Sequence, residues 1–145
     1  MATWRDQASE QAQADLDGLL NVVLPFAQKM LSDNGEFFPF GAIVTNEGRS
    51  ELVAADPGLG ERPPSASVLD GLLRSFRAKR DQTRATAACA DVHREDTDAV
   101  MVALEHLEGV ALNVFLPYKK KRFRGGLEFG AINASTGTRQ VWPRS

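Results

Sequence analysis

From Asp15 to Leu31 the apolar residues Leu16, Leu19, Leu20, Val23, Phe26, Ala27 and Met30 recur at three- and four-residue steps. This spacing predicts a helix with one apolar face. Gln7, Glu10, Gln11, Gln13, Asp15 and Asp17 precede or flank the stripe and make the first half of the helix polar and acidic. Pro25 falls inside the pattern and removes a backbone donor, which predicts a kink or a restart. The breaker cluster Ser32-Asp33-Asn34-Gly35 ends the helix.

The pattern then changes period. Glu36 to Thr45 is rich in aromatic and β-branched residues, Asn46-Glu47-Gly48-Arg49 reads as a turn, and Ser50 to Ala55 reads as the return strand of a hairpin. Pro39 confines the start of the first strand to an edge or a bulge. Residues 56–64 carry three prolines and two glycines and form a surface loop. A second helix follows, capped by Ser65 or Ser67, with Val68, Leu69, Leu72, Leu73 and Phe76 buried. Arg74, Arg77, Lys79 and Arg80 load its last turns, where cations suit the negative end of the helix dipole.

The remainder reads as strands: Arg84 to His93, Asp98 to Leu107, Val110 to Tyr118, Leu127 to Ala134 and a short Thr138 to Trp142. Val100, Val102 and Leu104 alternate with Ala99, Met101 and Ala103, so that strand is covered on both faces. Val110, Leu112, Val114 and Leu116 alternate with polar Asn113 and imply one buried face. Short turns between these runs favour antiparallel neighbours. The expected fold is α+β: a single antiparallel sheet of about five or six strands, hairpin then meander. Two helices pack on one face, in the order α-β-β-α-β-β-β-β. Ala85, Ala87, Ala88, Cys89 and Ala90 form a strand of small residues that lets a helix approach closely. The element order is similar to that of the roadblock, longin and profilin-like folds, mostly adaptor or scaffolding modules; no residue motif carries the likeness.

Composition narrows the class. The chain has 145 residues, 43% hydrophobic and 25% charged, values of an ordinary globular protein. The expectation is one domain over residues 1–145, with residues 1–8 disordered or loosely docked. The single Cys89 cannot form an internal disulfide, the first residues lack the order of a signal peptide, and no apolar run is long enough for a membrane span. These features point to a cytoplasmic protein without membrane contact. Arginine outnumbers lysine, twelve to five, and alanine is abundant, a habit of GC-rich, bacterial genomes.

Charge supplies the sharpest local feature. Lys119, Lys120, Lys121, Arg122 and Arg124 put five cations around Phe123. The segment could track phosphates and stack a base. An overall pI near 5.7 argues against nucleic acid, which leaves an acidic protein partner, or a solvated loop whose charge keeps a sheet edge from aggregating. Residues 1–60 hold nine acids and three bases, whereas residues 61–145 hold ten acids and fourteen bases. Two such halves could attract each other within a homodimer, steer a polarised partner or neutralise each other within one monomer.

Candidate chemistry is sparse. Asp91 and His93 share a strand face, and His106 lies near Glu105 and Glu108 on the next strand. Pairing the two strands about the 94–97 turn places the histidines at opposite ends of the hairpin, too far apart to share a metal. Cys89 sits among alanines, which raises a thiol's pKa and disarms it. No nucleophile elbow, Walker loop, dinucleotide fingerprint or H-E-x-x-H helix is present. No catalytic residue, metal or cofactor is assigned.

The leading expectation is a non-enzymatic interaction module. It contacts a protein partner or a second copy through the basic segment (Lys119, Lys120, Lys121, Arg122, Arg124) and an exposed aromatic, Phe37, of the Phe-rich hairpin. The alternative is an enzyme or a binder of a small molecule or phosphate ligand. Its pocket would lie between the sheet and the 56–64 loop, with Asn113, Tyr118, Glu128 and Asn133, together with Arg122 and Arg124, as polar groups.

Overall fold

The computed structural model describes residues 4–54, 65–94, 96–121 and 126–143. A short helical turn, α1 (Trp4–Gln7), precedes the long helix α2 (Glu10–Asn34). Ser9 caps α2 by accepting a hydrogen bond from the Ala12 amide, and Gly35 ends it in the left-handed conformation, φ 78°, its N–H donating to the Leu31 carbonyl. The helix runs through Pro25 as one element; the expected restart is absent. Pro25 and Asn21 are both exposed, so water can satisfy the carbonyl that loses its amide partner. Residues 4–8 dock on α2 through Arg5, whose guanidinium pairs with both Asp17 oxygens at 2.9 and 2.8 Å.

The hairpin β1 (Phe40–Thr45) and β2 (Ser50–Val53) leads to α3 (Ser65–Ala78). After a 3-10 turn come β3 (Thr83–Arg94), β4 (Thr97–His106), β5 (Val110–Lys120), β6 (Leu127–Phe129) and β7 (Asn133–Thr136). All pairings are antiparallel, in the order β2-β1-β3-β4-β5-β6, with β7 also on β5. The α+β class and the element order are therefore as the sequence implies, with seven strands among the described residues rather than five or six. The extra strand arises because residues 127–134 divide at Gly130: Leu127–Phe129 pairs with Tyr118–Lys120, and Asn133–Thr136 pairs with Leu112–Phe115. Thr138–Trp142 forms no strand.

The two main helices lie on opposite faces of the sheet, which corrects the one-face arrangement. Register and alternation decide it. Phe40, Ala42 and Val44, Ala85, Ala87 and Cys89, Val100, Val102 and Leu104, and Leu112, Val114 and Leu116 share one core with α2's Leu16, Leu19, Val23, Ala27 and Leu31. The residues between them, Ile43, Ala88 and Ala103, pack with α3's Leu69, Leu72, Leu73 and Phe76 and with Val141 and Trp142. The small-residue strand β3 thus serves both sides, and the double coverage read from β4 already required a helix or segment on each. Gly41 marks the closest approach: a Cβ there would meet Phe76 Cζ at 2.7 Å and the Ala87 carbonyl oxygen at 2.8 Å.

Candidate interaction site

At the N-terminal end of α2 the core is closed by three polar side chains. Asp15 sits one residue before Leu16 on the buried stripe and is 7% exposed. Its Oδ2 accepts from Arg84 Nε at 2.9 Å and its Oδ1 from Arg84 Nη2 at 3.0 Å. Oδ2 also lies 2.9 Å from His106 Nε2. His106 is 1% exposed, and its Nδ1 accepts the Glu108 amide hydrogen at 3.2 Å. An acceptor at Nδ1 puts the ring proton on Nε2, which donates to Asp15. Burial alone would push the Asp15 carboxyl up, but the hydrogen bonds from Arg84 and His106 and the charge of Arg84 outweigh it and hold it below the ordinary range. Both ring nitrogens of His106 are committed, which leaves no lone pair for proton transfer to a substrate. Arg84 and Asp15 went unread in the sequence; a carboxylate on an apolar stripe was the available signal.

The other end of the sheet is more open. Tyr118 donates its hydroxyl to Asp91 Oδ1 at 2.5 Å, joining β5 to β3 across β4. Burial and the Asp91 carboxylate both push the Tyr118 phenol up. Burial likewise raises Asp91, against the lowering effect of the Tyr118 bond and of His93. His93, whose side chain is 67% exposed, hydrogen-bonds Asp98 directly across the hairpin, and that bond raises its pKa. Glu36 is close enough to act electrostatically on both Asp91 and His93. His93 and His106 lie at opposite ends of the β3–β4 hairpin, paired with Asp98 and Ala85 respectively. Among the described residues no set of three or more His, Cys, Asp or Glu could hold a metal ion. Cys89 is fully buried, and desolvation pushes its thiol far up, which leaves it unreactive.

The basic strand end meets this same region. Lys119, Lys120 and Lys121 are exposed. The Lys120 ammonium lies 3.7 Å from where a Cβ on Gly35 would stand, over the C-terminus of α2. No basic residue occupies the last turn of α2, so Lys120 supplies the cation that complements its dipole. Lys119 makes only a long pair with Glu128, 3.8 Å, between two exposed side chains. Arg122 and Arg124 lie outside the described residues, as does the 56–64 loop.

Phe37 is corrected. It is 9% exposed and packs edge-on against Phe40 with ring centroids 5.7 Å apart. The alternation argument failed because Pro39 has no N–H and strand β1 begins only at Phe40, so residues 36–39 are not pleated. Phe38 is the exposed aromatic, at 53%. Phe26 of α2, 40% exposed, stacks edge-on against Phe40 at 5.0 Å and carries the apolar surface along the helix.

The four alternative ligand residues do not converge. Asn113 lines a cleft of about 130 Å³ between α3 and the C-terminal segment. Tyr118 and Glu128 line another of about 270 Å³, and Asn133 faces a third. All four stand on β5, β6 or β7, at the sheet edge opposite β2, from which the 56–64 loop departs. No helix among the described residues is long and apolar enough to cross a membrane. No family model matches the chain, and neither the curated proteins nor the solved structures contain a match.

Proposed function

We propose that this chain is a non-catalytic protein-interaction module whose contact surface takes in the basic run Lys119, Lys120 and Lys121 at the end of β5 and the exposed Phe38. The observation that carries the reading is the seating of Lys120 over Gly35, three residues before Phe38. It brings one end of the basic run to within three residues of an exposed aromatic far away in sequence. An aromatic anchor flanked by cations fits an acidic protein face with an apolar pocket. The partner is a second protein or a second copy of the chain. A cytoplasmic setting suits its one free, buried cysteine.

The test compares wild type with a variant combining Phe38→Ala and Lys119→Ala, Lys120→Ala and Lys121→Ala. Sedimentation velocity reads self-association, and a nuclease-treated pull-down from source-cell extract reads a partner. The expected result is a complex retained at least tenfold better by wild type and weakened by raised salt. A monomeric wild type that retains nothing over the variant would refute the proposal.

A further inference from the structure

On the face away from α2, one buried carboxylate has its bonds to a terminal segment of the chain. Glu105 of β4 is 5% exposed. Its Oε1 accepts the amide hydrogens of Gln140 at 2.7 Å and Val141 at 3.0 Å; its Oε2 accepts those of Val141 at 3.0 Å and Trp142 at 2.6 Å. From α3 and the turn after it, Arg77 Nε donates to the Gln140 carbonyl at 2.7 Å and Arg80 Nη1 to the Val141 carbonyl at 3.3 Å. Val141 is 1% exposed and fits among Leu72, Phe76 and Ala88. Upstream, Arg139 Nε holds the Gly109 carbonyl at 3.0 Å. This is how a bent peptide backbone is bound: the chain bends at residues 140–142, so three successive main-chain donors meet one carboxylate, with main-chain carbonyls on cations and one side chain in a socket.

We infer that the groove between α3 and β4 is a peptide-docking groove, occupied here by the chain's own residues 138–142 and able to take a segment of a partner protein that bends in the same way in their place. Three features support exchange. The recognition reads main chain, so it does not demand this sequence. The resident segment buries one side chain fully, Val141, with Trp142 only partly covered. The resident also leaves the groove incompletely filled: the apolar cleft of about 130 Å³ beside it is lined by Leu69, Leu73, Met101 and Ala103, with Gln140 on its rim. That volume suits a single ring or short aliphatic side chain. The preferred ligand therefore carries a β-branched anchor at the Val141 position and an apolar residue where this chain has Gln140. An emptied groove would leave the Glu105 carboxylate facing apolar side chains, so an N–H donor must replace the one that leaves. The groove lies on the other face of the sheet from α2, and this inference does not depend on the contact surface proposed above.

The test uses the full chain carrying Val141→Asp, which removes the resident anchor and leaves Glu105, Arg77 and Arg80 in place. Dye-labelled peptides spanning residues 136–143, with the natural sequence and with Gln140→Leu, are titrated by fluorescence anisotropy. The variant is expected to bind both saturably and at least tenfold tighter than wild type, whose own segment competes. The Gln140→Leu peptide should bind tighter than the natural one, and adding Glu105→Gln should weaken binding tenfold or more. Absence of binding to a folded variant, binding indifferent to Glu105→Gln, or a dimer formed by exchange of residues 138–142 between copies would each overturn the inference. A second measurement needs no destabilised variant. Excess Gln140→Leu peptide carrying Trp142→Phe should release Trp142 of the wild-type chain and shift its fluorescence to longer wavelength. An unshifted spectrum at millimolar peptide overturns the inference independently.

Discussion

Replacing Asp15 by Asn leaves volume and shape almost unchanged and removes one charge from the closed end of the core. Arg84 is then a cation without its counterion, and the new amide group points N–H at a site built from donors. His106 and Arg84 compete for one remaining acceptor. Removing one partner of a buried ion pair costs about 3–5 kcal/mol. The Arg84 side chain is 23% exposed and water recovers part of its solvation, whereas the Asp15 side chain is 6% exposed and His106 1%. The low end applies, and about 3 kcal/mol is expected. At about 0.05–0.15 kcal/mol per residue the whole chain is stable by roughly 7–22 kcal/mol, so the loss is large. It corresponds to roughly 6–12 °C in thermal midpoint at this chain length.

The dependence on pH separates this mechanism from a general packing defect. The folded chain holds the Asp15 pKa below its unfolded value, so the unfolded state takes up the proton first as pH falls. The stabilisation from this carboxylate is complete well above about pH 4 and is lost as pH drops through the folded value. Urea unfolding of wild type and Asp15→Asn should therefore differ by about 3 kcal/mol at pH 7, and the two curves should converge below about pH 4. A difference under about 1 kcal/mol at pH 7, or one that stays constant down to pH 3, would refute the reasoning.

Other groups give independent checks. Phe37→Ala should cost about 3 kcal/mol in chemical denaturation, because Phe37 is core against Phe40, while Phe38→Ala should cost under about 0.5 kcal/mol; equal costs would mean the two rings are misplaced. The His93 imidazole should titrate by NMR above its ordinary value of about 6.5, and Asp98→Asn should bring it down. Its pairing with Asp98 favours the folded chain below the unfolded pKa and is lost as pH rises through the folded one; an unshifted His93 contradicts the contact. Cys89 should resist a thiol reagent in the native protein and react only on unfolding, with native-state labelling in minutes the contrary outcome.

Much of the secondary structure was legible because it depends on local pattern. The stripe from Leu16 to Met30, the stop at Gly35, the turn at 46–49 and the antiparallel pairing of Arg94 with Thr97 all appear where period and turn residues put them. The hairpin pairing that separated His93 from His106 holds in the register itself. What local pattern missed depends on long-range partners. Asp15 finds Arg84 at a separation of 69 residues and His106 at 91, and Glu105 finds the segment at 140–142 from 36 residues away or so. Alternation along a strand names two faces but not which helix covers each, so the placement of α3 needed the tertiary packing of Phe76 on Gly41. Phe37 was misassigned because the alternation was extended through Pro39, where no strand exists.

The three buried carboxylates divide the molecule into what is fixed and what is exchangeable. Asp15 ties α2 to the starts and ends of β3 and β4, and losing it loosens the largest helix. Asp91 ties β3 to β5 through Tyr118, within the sheet. In both, the donors are side chains of elements whose departure would open the main core. Glu105 differs: its hydrogen bonds come from backbone amides of residues 140–142, in a stretch outside every helix and strand. Withdrawing that stretch exposes Val141's socket and leaves the α2 core and every strand pairing intact. Local opening is least costly where few apolar contacts are broken. Of the three clasps, then, the one at Glu105 breaks the fewest core contacts on release, and a peptide that bends as residues 140–142 do meets its bonding requirements.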